Sequence, residues 1–222
     1  MSVLLVCALA AQPSRKVAPV ETDRLRATLA GLRDAITDQR MPDELRRPAA
    51  YSYDWLAPRI AANNQPWKDD KTHKVLPGAP LPEAYLQSLE LDLKVLRLAL
   101  ASKDRKKREE LARAVIEDLK LKSDDCRQFG RGRLVPVEVT TRKGNQVVND
   151  WLVYYRYVAV GDLPTSQLPM ETASSPARKS LPPGVYDFHA EATVGGSAVQ
   201  SSVVRGVVSG VPSLHLEIPV FH

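Results

Sequence analysis

The chain has 222 residues, 44% apolar and 26% charged, the balance of a folded protein and not of a disordered one. Its net charge of +5 is uneven: residues 1–132 hold 24 Lys and Arg against 19 Asp and Glu, whereas residues 133–222 hold 7 against 7. That excess is too diluted by acids for a nucleic-acid footprint, and after the first dozen residues no run of about 18 apolar residues is available to span a bilayer.

Residues 1–11 read as a signal peptide, with an apolar core from Val3 to Ala11 and the small-residue pattern Ala8-Leu9-Ala10. No Lys or Arg precedes that core. Export places the mature chain in a secreted or periplasmic setting, and retention of Met1 would make it cytoplasmic. Cleavage removes Cys7 and leaves Cys126 alone, so no internal disulfide is expected.

Residues 12–130 read as a helical segment. Leu25, Leu29, Leu32 and Ile36 recur at helical spacing between Glu21 and Arg40, and Pro42 stops that helix. Residues 41–82 carry seven prolines among Tyr51, Tyr53, Trp55, Leu56, Ile60 and Trp67. The expectation there is a short helix near 52–62 within an irregular loop pinned by its aromatics. Leu86, Leu89, Leu93, Leu96 and Leu100 form the clearest stripe, which lapses over Ser102–Glu110 and resumes at Leu111. Either one helix runs from 83 to about 121 or two turn back near 101–104; the basic residues on the would-be seam favour a helical hairpin.

After Gly130 and Gly132 the period changes from 3.6 to 2. Val135, Val137 and Val139 alternate with polar residues, and Trp151, Val153, Tyr155 and Tyr157 share one strand face. A Pro- and Ser-rich loop over 161–180 leads to Leu181-Pro-Pro-Gly184, after which Tyr186, Phe188, Ala190, Ala192 and Val194 alternate. The expected fold is α+β: a helix plus a helical hairpin, then an antiparallel β-sandwich of six or seven strands over 131–222.

The run from Val137 to Val153, a strand, a turn carrying Gly144 and a second strand, together with Leu181-Pro-Pro-Gly-Val-Tyr186, resembles the prealbumin-like modules. These are the transthyretin-like and carboxypeptidase-regulatory-like domains, in which a Leu-Pro-Pro-Gly-x-Tyr strand start follows a loop. The resemblance covers residues 133–220, about two-fifths of the chain, and the long insert at 161–180 departs from it. It implies a β-sandwich of a kind commonly non-catalytic, serving adhesion, carbohydrate binding or spacing outside the cytoplasm.

Candidate chemistry is sparse. Asp187, His189 and Glu191 lie at i, i+2 and i+4 on one strand, and His215 and Glu217 lie at i and i+2 on the last. Were those strands neighbours, the face would hold a His/carboxylate metal site; the simpler reading is a solvated face opposite Tyr186 and Phe188. Cys126 stands beside Asp124 and Asp125, which disfavour its thiolate and otherwise read as an acidic pair at a helix end. Lys103–Arg108 holds five bases in six residues, but Glu109 and Glu110 follow and pair at i, i+4. Trp55, Trp67 and Trp151, with the tyrosines, offer the elements of a carbohydrate-stacking platform.

No catalytic, cofactor-binding or metal residue is assigned. The leading expectation is a non-enzymatic exported interaction or structural module whose partner is a protein or carbohydrate of the cell envelope. The alternatives are a metal-dependent hydrolase using Asp187, His189 and Glu191, and an anion-binding helical adaptor using Lys103–Arg108.

Overall fold

The computed structural model describes residues 22–69, 72–160, 168–169 and 175–221. The signal-peptide reading, Cys7 and much of the 161–180 loop lie outside the described residues. Among the described residues no helix is long and apolar enough to cross a membrane.

The chain is α+β, with helices first and strands after. Helix α1 (Thr22–Thr37) buries Leu25, Leu29, Leu32 and Ile36 as their spacing requires. Helix α2 (Asp43–Ala61) is longer than the sequence predicts and runs through Pro48 and Pro58. Its inward face is Leu45, Ala49, Ser52, Leu56 and Ile60, in which the small Ala49 and Ser52 mute the hydrophobic stripe. Tertiary packing of that face outweighs the helix-breaking tendency of the prolines. Strands β1 (Trp67–Lys68) and β2 (Val75–Leu76) make a short antiparallel ribbon in the loop that follows.

Helices α3 (Glu83–Ala101) and α4 (Arg105–Phe129) form the hairpin, so the leucine stripe does not continue as one helix. The break is fixed by Asp104, whose carboxylate accepts from the backbone N–H groups of Lys106 (2.9 Å) and Lys107 (3.3 Å) as an N-cap. The basic run behaves as a salt-bridged face: Arg105 Nε lies 2.7 Å from Glu109 and Lys106 Nζ 3.9 Å from Glu110. Gly130 ends α4 in the left-handed region (φ 73°), and a Cβ there would lie 2.2 Å from the Trp67 ring. The four helices enclose one core.

The strands make two sheets that share a second core. In the first, β10 (Val204–Val208), β8 (Gly184–Val194), β5 (Leu152–Tyr157) and β6 (Leu168–Pro169) lie in that order, with β9 (Ser197–Gln200) on the far end of β8. In the second, β3 (Val135–Lys143) is central, flanked by β11 (Leu214–Pro219) on one side and by β4 (Gln146–Val147) and β7 (Ala177–Leu181) on the other. The strands outnumber the six or seven expected, and one pairing corrects the all-antiparallel reading. Strand β11 runs parallel to β3, with Leu214 opposite Val137 and Pro219 opposite Arg142. The chain leaves β10 at the edge of one sheet and crosses to the other, which alternation along single strands cannot reveal. Pro182 and Pro183 fall between β7 and β8, outside both ladders, as residues without an N–H must.

Candidate functional site

The face of β8 opposite Tyr186 and Phe188 is not solvated. Asp187 is 5% and His189 4% exposed, because β8 is central and its neighbours' long side chains close over it. Asp187 accepts from Arg205 Nε (2.8 Å) and Nη2 (3.1 Å) and faces Arg156 Nη2 at 3.4 Å. His189 stacks on Tyr154, centroids 5.5 Å apart, and its Nε2 lies 3.1 Å from Glu191. His215 and Glu217 lie on β11, in the other sheet, so the two polar pairs do not converge. Among the described residues no cluster of three or more His, Cys, Asp or Glu is placed to hold a metal. The guanidinium of Arg205, with that of Arg156, holds the Asp187 carboxyl below its usual range.

Asp187→Ala is therefore expected to cost about 1–2 kcal/mol, a value discounted because Arg205 is well exposed and screened. A carboxyl whose folded-state pKa is depressed contributes stability above its unfolded pKa and loses it as the pH falls through the folded value. The difference between parent and variant in urea midpoints should thus be present at pH 6 and shrink below about pH 4.

The most fully buried charges lie where the two parts of the chain meet. Lys122 on α4 is 0% exposed; its Nζ lies 2.9 Å from Asp92 Oδ2 on α3, contacts Asp118 Oδ2 one turn back, and donates to Tyr157 Oη at 2.9 Å. Tyr157, at the end of β5, donates to Asp92 Oδ1 at 2.9 Å. Gly184 closes the site from β8: a Cβ there would meet Asp118 Oδ1 at 2.6 Å and the Tyr157 ring at 2.7 Å. Burial raises the Asp92 pKa and lowers that of Lys122. Nothing in the sequence marks Asp92, Asp118 and Lys122, because each occupies one position of an otherwise ordinary amphipathic helix.

A second contact fastens the same joint. Asp125, also 0% exposed, accepts from Arg133 Nη2 (2.8 Å) and from the Gly210 N–H (3.1 Å), and Arg133 Nη2 donates to the Val211 carbonyl at 2.7 Å. Asp124 is the exposed member of the pair read as a helix end, and Asp125 is part of the joint. Burial, with a smaller contribution from Asp125, pushes the Cys126 thiol up to about 12, the direction its acidic neighbours suggest.

Beside this joint lies a groove of about 320 Å³ lined by Trp67, Pro77, Gln128, Phe129, Arg131 and Arg133, among others. Its walls are held from behind. Trp67 rests on Gly130, and the Arg133 guanidinium lies 3.5 Å above the Phe129 ring while bonded to Asp125 and Val211. Buried Asn63 ties the loop behind the groove to the exit of α4, donating to the Ala79 and Gly132 carbonyls and accepting from the Gly132 N–H at 2.6 Å. The three tryptophans do not make one platform. Trp151 is in the β core, Trp55 lies between Arg59 (4.4 Å) and Arg127 (4.9 Å), and Trp67 alone lines the groove.

On the outer face of the second sheet, Glu138 stands opposite Arg178 on β7 and His215 on β11. Glu138 accepts from Arg178 Nε at 2.6 Å and lies 3.4 Å from His215 Nδ1, and Ser213 Oγ is 3.4 Å from His215 Nε2.

No protein-family model matches this sequence, and no curated protein matches it. Among solved structures, (S)-allantoin synthase aligns over 92% of this chain and 96% of that one, at 12% identity and a TM-score of 0.25. A likeness of that size carries no argument about fold or activity.

Proposed function

We propose that the protein is a non-enzymatic, exported interaction module whose ligand face is the groove at the joint. In this reading the β part is a prealbumin-like sandwich, and the helical part is fastened to it by the Lys122 and Asp125 contacts. The observation that carries the proposal is the prior immobilisation of the groove's rings and guanidinium. Trp67 is seated on a left-handed glycine, and Phe129 is covered by an arginine held from behind. Rigid aromatic anchors with fixed donors lose little entropy on binding, which suits a protein or carbohydrate of the cell envelope as the ligand. The test is co-sedimentation with insoluble envelope material from the host. The parent should pellet and Trp67→Ala should stay in the supernatant with its circular dichroism unchanged; equal pelleting would show that the groove is not the ligand face.

One observation favours a second reading, hydrolysis. The contact order from Ser213 Oγ to His215 Nε2, and from His215 Nδ1 to Glu138, is that of a serine nucleophile, its base and the base's orienting carboxylate. Release of nitrophenol from an activated ester that disappears in both Ser213→Ala and His215→Ala would support it. Hydrolysis unchanged in either variant would exclude it.

A further inference from the structure

The Lys122 cluster does more than fasten two parts of a binding module. A primary amine, two carboxyl groups and a phenol meet there with no exposure to water beyond 2% on any of the three charged side chains. One ammonium cannot compensate two ionised carboxylates in such a site, and a buried ion pair is costly in its own right. Joining the amine to one carboxyl as an amide would replace that pair by a neutral group and expel a water molecule.

We propose that Lys122 and Asp118 form an intramolecular isopeptide bond, Nζ to Cγ, with Asp92 as the proton-transfer group. The two partners lie one helical turn apart on α4, where residues four apart share a face. Asp118 is the electrophile: its Oδ2 contacts Nζ, and its Oδ1 has no hydrogen-bond partner. Asp92 is placed otherwise. Its Oδ1 is held by the Tyr157 hydroxyl, while its Oδ2, which like Asp118 Oδ1 makes no hydrogen bond, lies 2.9 Å from Nζ, within reach of the protons that nitrogen must lose.

In the reaction the Nζ–Cγ bond forms and one Cγ–Oδ bond of Asp118 breaks. The ammonium first passes one proton to an Asp118 oxygen, which frees its lone pair for attack on Cγ; Asp92 then carries a second proton from nitrogen to that oxygen, which departs as water, and Asp92 ends as it began. Nothing is oxidised or reduced, and no co-reactant is needed. Desolvation, which raises the Asp92 pKa and lowers that of Lys122, moves the groups toward the neutral forms this exchange uses.

The test is peptide mass spectrometry of the purified full chain. A tryptic digest should contain residues 114–120 joined to 121–127, lighter by one water than the two peptides together, with no cleavage after Lys122. Asp92→Asn, folded by circular dichroism, should yield the separate peptides, cut after Lys122. Cleavage after Lys122 in the parent, with every peptide at its sequence mass, would overturn the proposal. A water loss that persisted in Lys122→Met would place the modification elsewhere and overturn it equally.

Discussion

Replacing Lys122 by Ala is expected to lower the free energy of unfolding by about 3–5 kcal/mol, because it leaves Asp92 and Asp118 facing each other in a site closed to water. For a chain whose total stability is of the order of 5–15 kcal/mol, that is a large share. The loss comes chiefly from the two buried carboxyls left without a partner, whether Lys122 holds them as an ammonium or through the amide proposed above. Replacing all three residues together, Lys122→Met with Asp92→Leu and Asp118→Leu, should therefore restore most of it, as buried ionic groups exchanged for apolar ones of similar volume often do. Urea titrations of the parent, the single variant and the triple variant check both halves. A triple variant no better than Lys122→Ala would mean that the cluster is stabilising in its own right.

Phe188→Ala should be as costly by a different mechanism. Phe188 is fully buried between Tyr155 and Tyr186, ring centroids 6.4 and 6.2 Å away, in the core shared by both sheets. Truncating a buried phenylalanine costs about 3–5 kcal/mol through lost transfer energy and the cavity left behind. Glu191→Ala, at a half-buried position on the same strand, removes only the partner of His189 Nε2 and should cost about 1 kcal/mol, well short of Phe188→Ala. If Glu191→Ala destabilised the chain as much as Phe188→Ala, the inward and outward faces of β8 would be misassigned.

The sequence made legible what repeats along one element. The leucines of α1 and α3, the alternation of β3, β5 and β8, and the two prolines before Gly184 are periodic or stereochemical signals, and each marks its element. Helix α2 was partly hidden because Ala49 and Ser52 occupy its inward face and prolines interrupt it. The burial of Asp187 and His189 was hidden for another reason. A polar residue on a strand reads as solvated until the neighbouring strands are known, and Arg205 comes from a strand 18 residues away. The joint was least legible of all. Asp92, Lys122 and Tyr157 belong to three elements, each chemically unremarkable alone, and only the docking of α3 and α4 on the end of β5 brings them together. The groove depends on the same docking, since Phe129 ends α4 while Arg133 is held by both parts of the chain.

On this structure the helical and β parts are one cooperative unit, locked at the Lys122 and Asp125 contacts, with the groove a product of that lock. The most direct measurement is urea unfolding of a chain carrying Trp55→Phe and Trp67→Phe, so that fluorescence reports only Trp151 in the β core while far-ultraviolet dichroism reports the helices. A single midpoint shared by both signals is expected. Two separated transitions, with the helices and Trp151 losing structure at different urea concentrations, would contradict it.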